Sequence, residues 1–234
     1  MSQSEPLMFD NRADAGHRLA NRLKLLHLQS PIVYALPRGG VPVAAEVAAA
    51  LNAPLDLVLV RKIGAPYQPE LALGAVVDGA TEAETVLNAD VVAMTGASEA
   101  YIAAARDREL AEIERRRQLY LSGRPRPDPR GRVAVVVDDG LATGATARAA
   151  LHALRRRGPS RLILAVPVAP PDTVDALRAE ADEVICLHEA EIFSGIGGFY
   201  RDFHQLGDAE VISLLDAAMR RAQESSGRAT KNTG

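Results

Sequence analysis

Apolar residues along this chain recur at two periods, and the switches between them mark the elements. Compact runs rich in Val, Ile and Leu occur at Ile32 to Leu36, Leu55 to Val60, Val133 to Val137, Arg161 to Val168 and Asp182 to Leu187. Runs of that length and content predict strands covered on both faces of a parallel sheet. Between them the apolar positions spread to helical spacing. Such stretches are Asp10 to Leu28 (through Ala13, Leu19, Leu23 and Leu26), Val41 to Leu51, Ser98 to Tyr120, Ala147 to Arg157 and Asp208 to Arg221. Another helix is expected to open near Pro171-Asp172. Ser98 is a predicted N-cap. Leu73 to Val77 and Glu84 to Asn88, separated by Asp78-Gly79-Ala80, predict a hairpin. Two prolines and a glycine between Gly64 and Pro69 predict irregular chain there.

This alternation predicts an α/β fold: a Rossmann-like open parallel sheet with helices on both faces, extended by a hairpin with a lid and by a C-terminal cap. Ser122 to Arg130, rich in Gly, Pro and Arg, reads as a linker, and residues 189–204 as irregular and aromatic. A single domain over residues 1–222 is expected, with 223–234 as a disordered tail.

The chemistry concentrates where the Val133 strand ends. Asp138-Asp139 stand at its carboxyl end, the place where open α/β sheets bind ligands. Gly140-Leu141-Ala142-Thr143-Gly144-Ala145-Thr146 then leads into a helix. Backbone N–H groups at a helix start bind anions, and glycines let a phosphate approach closely. Carboxylates for sugar hydroxyls beside a phosphate cradle point to a phosphorylated sugar. The spacing is neither a Walker loop, for want of Gly-Lys-Thr, nor a Gly-x-Gly-x-x-Gly dinucleotide fingerprint.

Hydrophobic strand, Asp-Asp and Gly-x-x-Thr-Gly-x-Thr together resemble the phosphoribosyl-pyrophosphate (PRPP) motif of type I phosphoribosyltransferases. The resemblance implies that fold, with Asp138 and Asp139 on the ribose hydroxyls. It implies Ala142, Thr143, Gly144, Ala145 and Thr146 around the 5-phosphate. Leu36-Pro37-Arg38-Gly39-Gly40 occupies the place of the family's pyrophosphate loop, which assigns Arg38, Gly39 and Gly40 to pyrophosphate. Read from the residues alone, that turn is equally a strand-to-helix connection with an exposed Arg. Arg61 and Lys62, where the family has basic residues, would stabilise the departing pyrophosphate, and residues 64–73 match its mobile lid. Both cations read alternatively as the solvated end of a strand. Mg²⁺ is implied as cofactor, held through ligand oxygens and water, with no direct protein ligand expected. A homodimer is implied as well, by analogy with the family.

The acceptor is less legible. Hypoxanthine- and guanine-type enzymes carry an acidic residue before the Thr-Gly of the phosphate loop, whereas Ala142 stands here, as in adenine- and orotate-type enzymes. Glu70 is a candidate base, or a solvated loop residue. Phe193, Phe199 and Tyr200 lie in a Gly-rich segment that suits stacking on a planar ligand, or packing of the cap on the core. Three readings of activity follow: a transferase acting on a nitrogenous base or similar small nucleophile, a non-catalytic PRPP sensor, and a hydrolase or phosphorylase using the same sugar-phosphate site.

Composition trims the alternatives. The 234 residues are 47% hydrophobic, enough for a full core, and the net charge is −3. No global basic field favours nucleic acid. Arg115-Arg116-Arg117 and Arg155-Arg156-Arg157 read as solvated helix faces. The single cysteine, Cys186, excludes an internal disulfide and reads as a buried strand thiol. With no apolar run of membrane-spanning length, no membrane partner is expected and a cytoplasmic setting is.

Overall fold

In the computed structural model, which describes residues 8–78 and 83–231, the elements follow the expected alternation. They are α1 (Arg12–Lys24), β1 (Ile32–Ala35), α2 (Gly40–Leu51), β2 (Leu55–Leu57), β3 (Val60–Ala65), β4 (Gln68–Val77), β5 (Glu84–Leu87), α3 (Ala89–Thr95) and α4 (Glu99–Leu121). There follow β6 (Val133–Val137), α5 (Ala145–Arg156), β7 (Arg161–Ala169), α6 (Pro171–Leu177), β8 (Glu183–Glu189), a 3₁₀ turn at Ile196–Phe199 and α7 (Asp208–Lys231).

Five strands form one parallel sheet in the order β2-β1-β6-β7-β8. Strand β6 shows why it is covered on both sides. Val133, Val135 and Val137 enter a core shared with α1, α2, α4 and α7, while Ala134 and Val136 enter one shared with α5 and α6. Such strands need small or β-branched apolar residues at every position, which is what the sequence supplies. A third, smaller cluster joins Phe9 and Ala15 to Val168, Ala190, Phe199 and Tyr200.

Two expectations are corrected by strand pairing. The Leu55 to Val60 run is broken: β2 leaves the main sheet after Leu57, and β3 pairs antiparallel with β4 in a separate sheet ordered β3-β4-β5. The Gly64 to Pro69 segment is regular except at Pro66-Tyr67, where Tyr67 has φ 63°. Register shifts around Gly64 absorb the next residues, from Pro69 on, because a bulge tolerates a residue without a backbone N–H. The lid position is therefore a β-ribbon. Helix α3 was not foreseen, though Asn88 caps it by accepting from Val91 N at 3.3 Å. Helix α7 runs past Arg221 to Lys231, first through helix-favouring Ala222, Gln223 and Glu224.

One arginine fastens the two sheets. Arg126, in the linker after α4, donates to Asp78 Oδ2 at the end of β4 (2.8 Å) and pairs with Asp56 Oδ2 on β2 (3.4 Å). Arg117 of α4 completes the tie to the buried Asp78. Burial raises the Asp56 carboxyl above its ordinary range, against the pull of Arg126.

Candidate functional site

The β1 loop, the β6 loop and the start of α5 meet at the carboxyl edge of the main sheet. Close backbone approach brings the first two together. A Cβ on Gly39 would lie 2.2 Å from Asp139 Oδ2, and one on Gly40 would lie 2.6 Å from the Val137 carbonyl. The Pro37–Arg38 peptide is cis. The Arg38 side chain is partly exposed, with Nη1 3.5 Å from Asp208 Oδ1, a carboxylate that also accepts from the Tyr120 hydroxyl.

The acid pair is buried and asymmetric. Asp138 Oδ1 accepts from Asp139 N at 2.9 Å, and burial together with the Asp139 charge pushes the Asp138 carboxyl well above the usual range. Burial raises Asp139 too, but Arg12 opposes it with an Nε–Oδ2 bond of 2.8 Å. Tyr200 donates its hydroxyl to the Asp139 carbonyl at 2.6 Å. Burial therefore disfavours charge on both carboxyls, and Arg12 offsets it most directly at Asp139.

Beyond the pair, the chain turns into an open helix start. Gly144 takes φ 70°, and a Cβ there would meet Leu177 Cδ1 at 2.9 Å and Thr173 Cγ2 at 3.0 Å. Thr173 donates to the Ala142 carbonyl at 2.8 Å, so α6 buttresses the loop from behind. No side chain caps α5, and Ala142, Thr143, Ala145 and Thr146 are exposed around its first turn. Free N–H groups, exposed hydroxyls and the positive end of a helix dipole together make a site for a dianion.

Facing this loop is the hairpin sheet. A cleft of about 430 Å³ separates it from α5, lined by Lys62, Ala72 and Val86 on one side and Thr143, Thr146 and His152 on the other. Lys62 therefore faces the phosphate loop across the cleft. Arg61, its neighbour on an alternating strand, points the other way and pairs with Glu109 of α4, Nε–Oε2 2.8 Å. The two cations expected to act together are parted by strand geometry.

The acceptor candidates also separate. Glu70 lies on β4, with its side chain outside the described residues. Phe199 and Tyr200 are buried, and Phe193 stacks on Phe199 with centroids 5.6 Å apart. These rings pack the cap onto the core, and the Tyr200 hydroxyl supports Asp139. Arg12 and Thr173 were not foreseen. Arg12 looks like an ordinary polar helix residue, and its partner lies 127 positions away. Cys186 is half-buried on β8, where burial pushes its thiol up to about 11, away from nucleophilic use.

A parallel sheet whose central strand ends in paired acids beside an uncapped helix start places the chain among α/β proteins with an anion cradle at the sheet edge. The chain belongs to the phosphoribosyl transferase domain family, whose pattern matches residues 9–204. It is 47% identical over 213 residues to a Mycobacterium tuberculosis protein with the provisional name phosphoribosyl transferase, covering 91% of this chain and 47% of that one. The chain thus spans about half the length of the curated relatives it matches. A crystal structure from Thermus thermophilus superposes with a TM-score of 0.75 at 42% identity, covering 89% of this chain and 97% of that chain.

Proposed function

We propose that this chain is a Mg²⁺-dependent phosphoribosyltransferase domain over residues 1–222, which moves ribose 5-phosphate from PRPP to a nitrogenous base or similar small nucleophile and releases pyrophosphate. The observation that carries this reading is the open start of α5 beside the Asp138-Asp139 pair, on the same sheet edge as the Arg38-Gly39-Gly40 loop. The 5-phosphate would rest on residues 142–146, of which Ala142, Thr143, Ala145 and Thr146 are exposed. Asp138 and Asp139 would receive the ribose hydroxyls. As the C1–oxygen bond breaks, positive character grows on the ribose and negative charge on the leaving group. Arg38 would hold that charge from the β1 loop and Lys62 from the hairpin sheet.

Mg²⁺ would neutralise the pyrophosphate when bound to it. Among the described residues no group of three or more His, Cys, Asp or Glu could hold a metal. With Asp138 buried and Asp139 engaged by Arg12, these residues fit a cation carried by PRPP oxygens and water. Ala142 disfavours a 6-oxopurine acceptor. A cytoplasmic homodimer without nucleic-acid or membrane partners fits the same reading, and no helix among the described residues is long and apolar enough to cross a membrane.

The test is pyrophosphate release from PRPP and Mg²⁺ with a panel of purines, pyrimidines and small amines. Turnover with one acceptor is the expected result. Tight PRPP binding with no turnover on any acceptor would instead mark a PRPP sensor.

A further inference from the structure

We propose that Arg12 is a positioning residue that couples the C-terminal cap to the acid pair of the donor site. The inference rests on the donor reading above. Arg12 opens α1 and is only 8% exposed, yet it lies in the wall of an open cavity of about 340 Å³ that Arg38, Gly39, Asp139 and Phe203 also line. Its guanidinium makes three unlike contacts at once. Nε donates to Asp139 Oδ2 at 2.8 Å, Nη1 donates to the His204 carbonyl at 2.9 Å, and the planar face lies over the Phe203 ring, 3.8 Å from its centroid.

The cap grips the same residue a second time. Tyr200, whose ring packs 5.0 Å from that of Phe203, donates to the Asp139 carbonyl at 2.6 Å. Residues 200–204 therefore hold Asp139 by its side chain, through Arg12, and by its backbone, through Tyr200. A planar fork with a π-face serves carboxylate, carbonyl and ring together, whereas an ammonium serves them only as a point charge. Arg12 fixes the direction of the Asp139 carboxylate across Gly39, and any movement of the cap is carried to that carboxylate. Donor binding at Asp139 and the ordering of residues 200–204 become one linked event.

The experiment compares wild type with R12K, R12Q and F203L by calorimetric titration with PRPP and Mg²⁺, alongside thermal melting and hydrogen exchange of residues 200–206. Wild type is expected to bind PRPP and to gain protection at 200–206 on binding. R12Q should weaken binding by roughly tenfold to a hundredfold, as expected when one partner of a buried charge pair is removed. R12K should recover little of that loss, and F203L should weaken binding by a few fold, on the order of one cation–π contact. In all three the PRPP-induced protection should fall. A purely structural role would lower the melting temperature and leave the PRPP affinity of the folded protein unchanged. Wild-type affinity in R12Q, or full recovery in R12K, overturns the inference while the donor reading stands. If the two Arg12 variants do not fold, unchanged affinity and protection in F203L overturns it. A wild type that binds no PRPP overturns the donor reading, and this inference with it.

Discussion

The carboxyl edge of the main sheet and the three-stranded hairpin sheet face each other across one cleft, but different forces hold them. The sheet edge is fixed by backbone contact: Gly39 against Asp139, Gly40 against Val137, Gly144 against Thr173 and Leu177. Its loops fit only because side chains are missing. The hairpin sheet is held in addition by charges, through Arg126 and Arg117 on Asp78 and through Arg61 on Glu109. Close packing resists displacement over fractions of an ångström, whereas an ion pair yields gradually with distance. One side of the cleft is a template, and the other is tied to it by ion pairs as well as by its apolar face.

Substitutions on the two sides should therefore fail differently. The largest effect is expected from replacing Asp138 and Asp139 together by Asn, which should lower PRPP-dependent pyrophosphate release by about 10²–10³-fold, the usual scale for removing a group that works in the transition state. The D138N change alone should move stability the opposite way. A carboxyl whose folded pKa is raised favours the folded state below its unfolded value, and that contribution disappears as pH rises through the folded pKa. Above the folded pKa, wild type carries a buried charge that Asn lacks. Urea unfolding across this window should show D138N gaining on wild type as pH rises, and parallel curves would refute the burial argument.

On the tethered side, R126M should cost about 3 kcal/mol in urea unfolding, because two buried carboxylates lose a shared partner. A loss below about 1 kcal/mol would mean that the hairpin is held by its apolar contacts instead. Smaller again, K62A should reduce turnover about tenfold, the effect of one cation on a leaving anion. The smallest change is expected from R61A: turnover within about twofold and a stability loss under about 1 kcal/mol, as for a half-exposed ion pair. Equal kinetic losses in K62A and R61A would show that the ribbon rotates to present both cations during the reaction.

The same contrast explains what could be read from the chain in advance. Main-sheet strands, their order of helices and the loop at 138–146 were legible because each depends on local chemistry: runs of Val, glycine at a positive φ, acids at a strand end. The split between Leu57 and Val60 was not, because Val58 and Leu59 are as apolar as their neighbours and only the partner strand changes. The parting of Arg61 from Lys62 follows from strand alternation, but only once those residues are known to be a strand interior rather than its end. Arg12 was invisible for another reason. Its use depends on a carboxylate, a carbonyl and a ring from two segments far along the chain. The aromatic segment left two readings open, stacking on a ligand or packing of the cap, and its rings build the small core around Phe9 and Val168.

Gly39 has ordinary helical angles, φ −56° and ψ −40°, so a side chain is excluded there by the Asp139 carboxylate and not by the backbone. That carries a consequence for inheritance. A descendant that ceased to turn over substrate but kept Asp139 in place would still be obliged to keep this glycine. The loop's signature would outlive its chemistry, so among related chains its presence reports a shared volume, and an assay is needed to tell a working copy from a retired one.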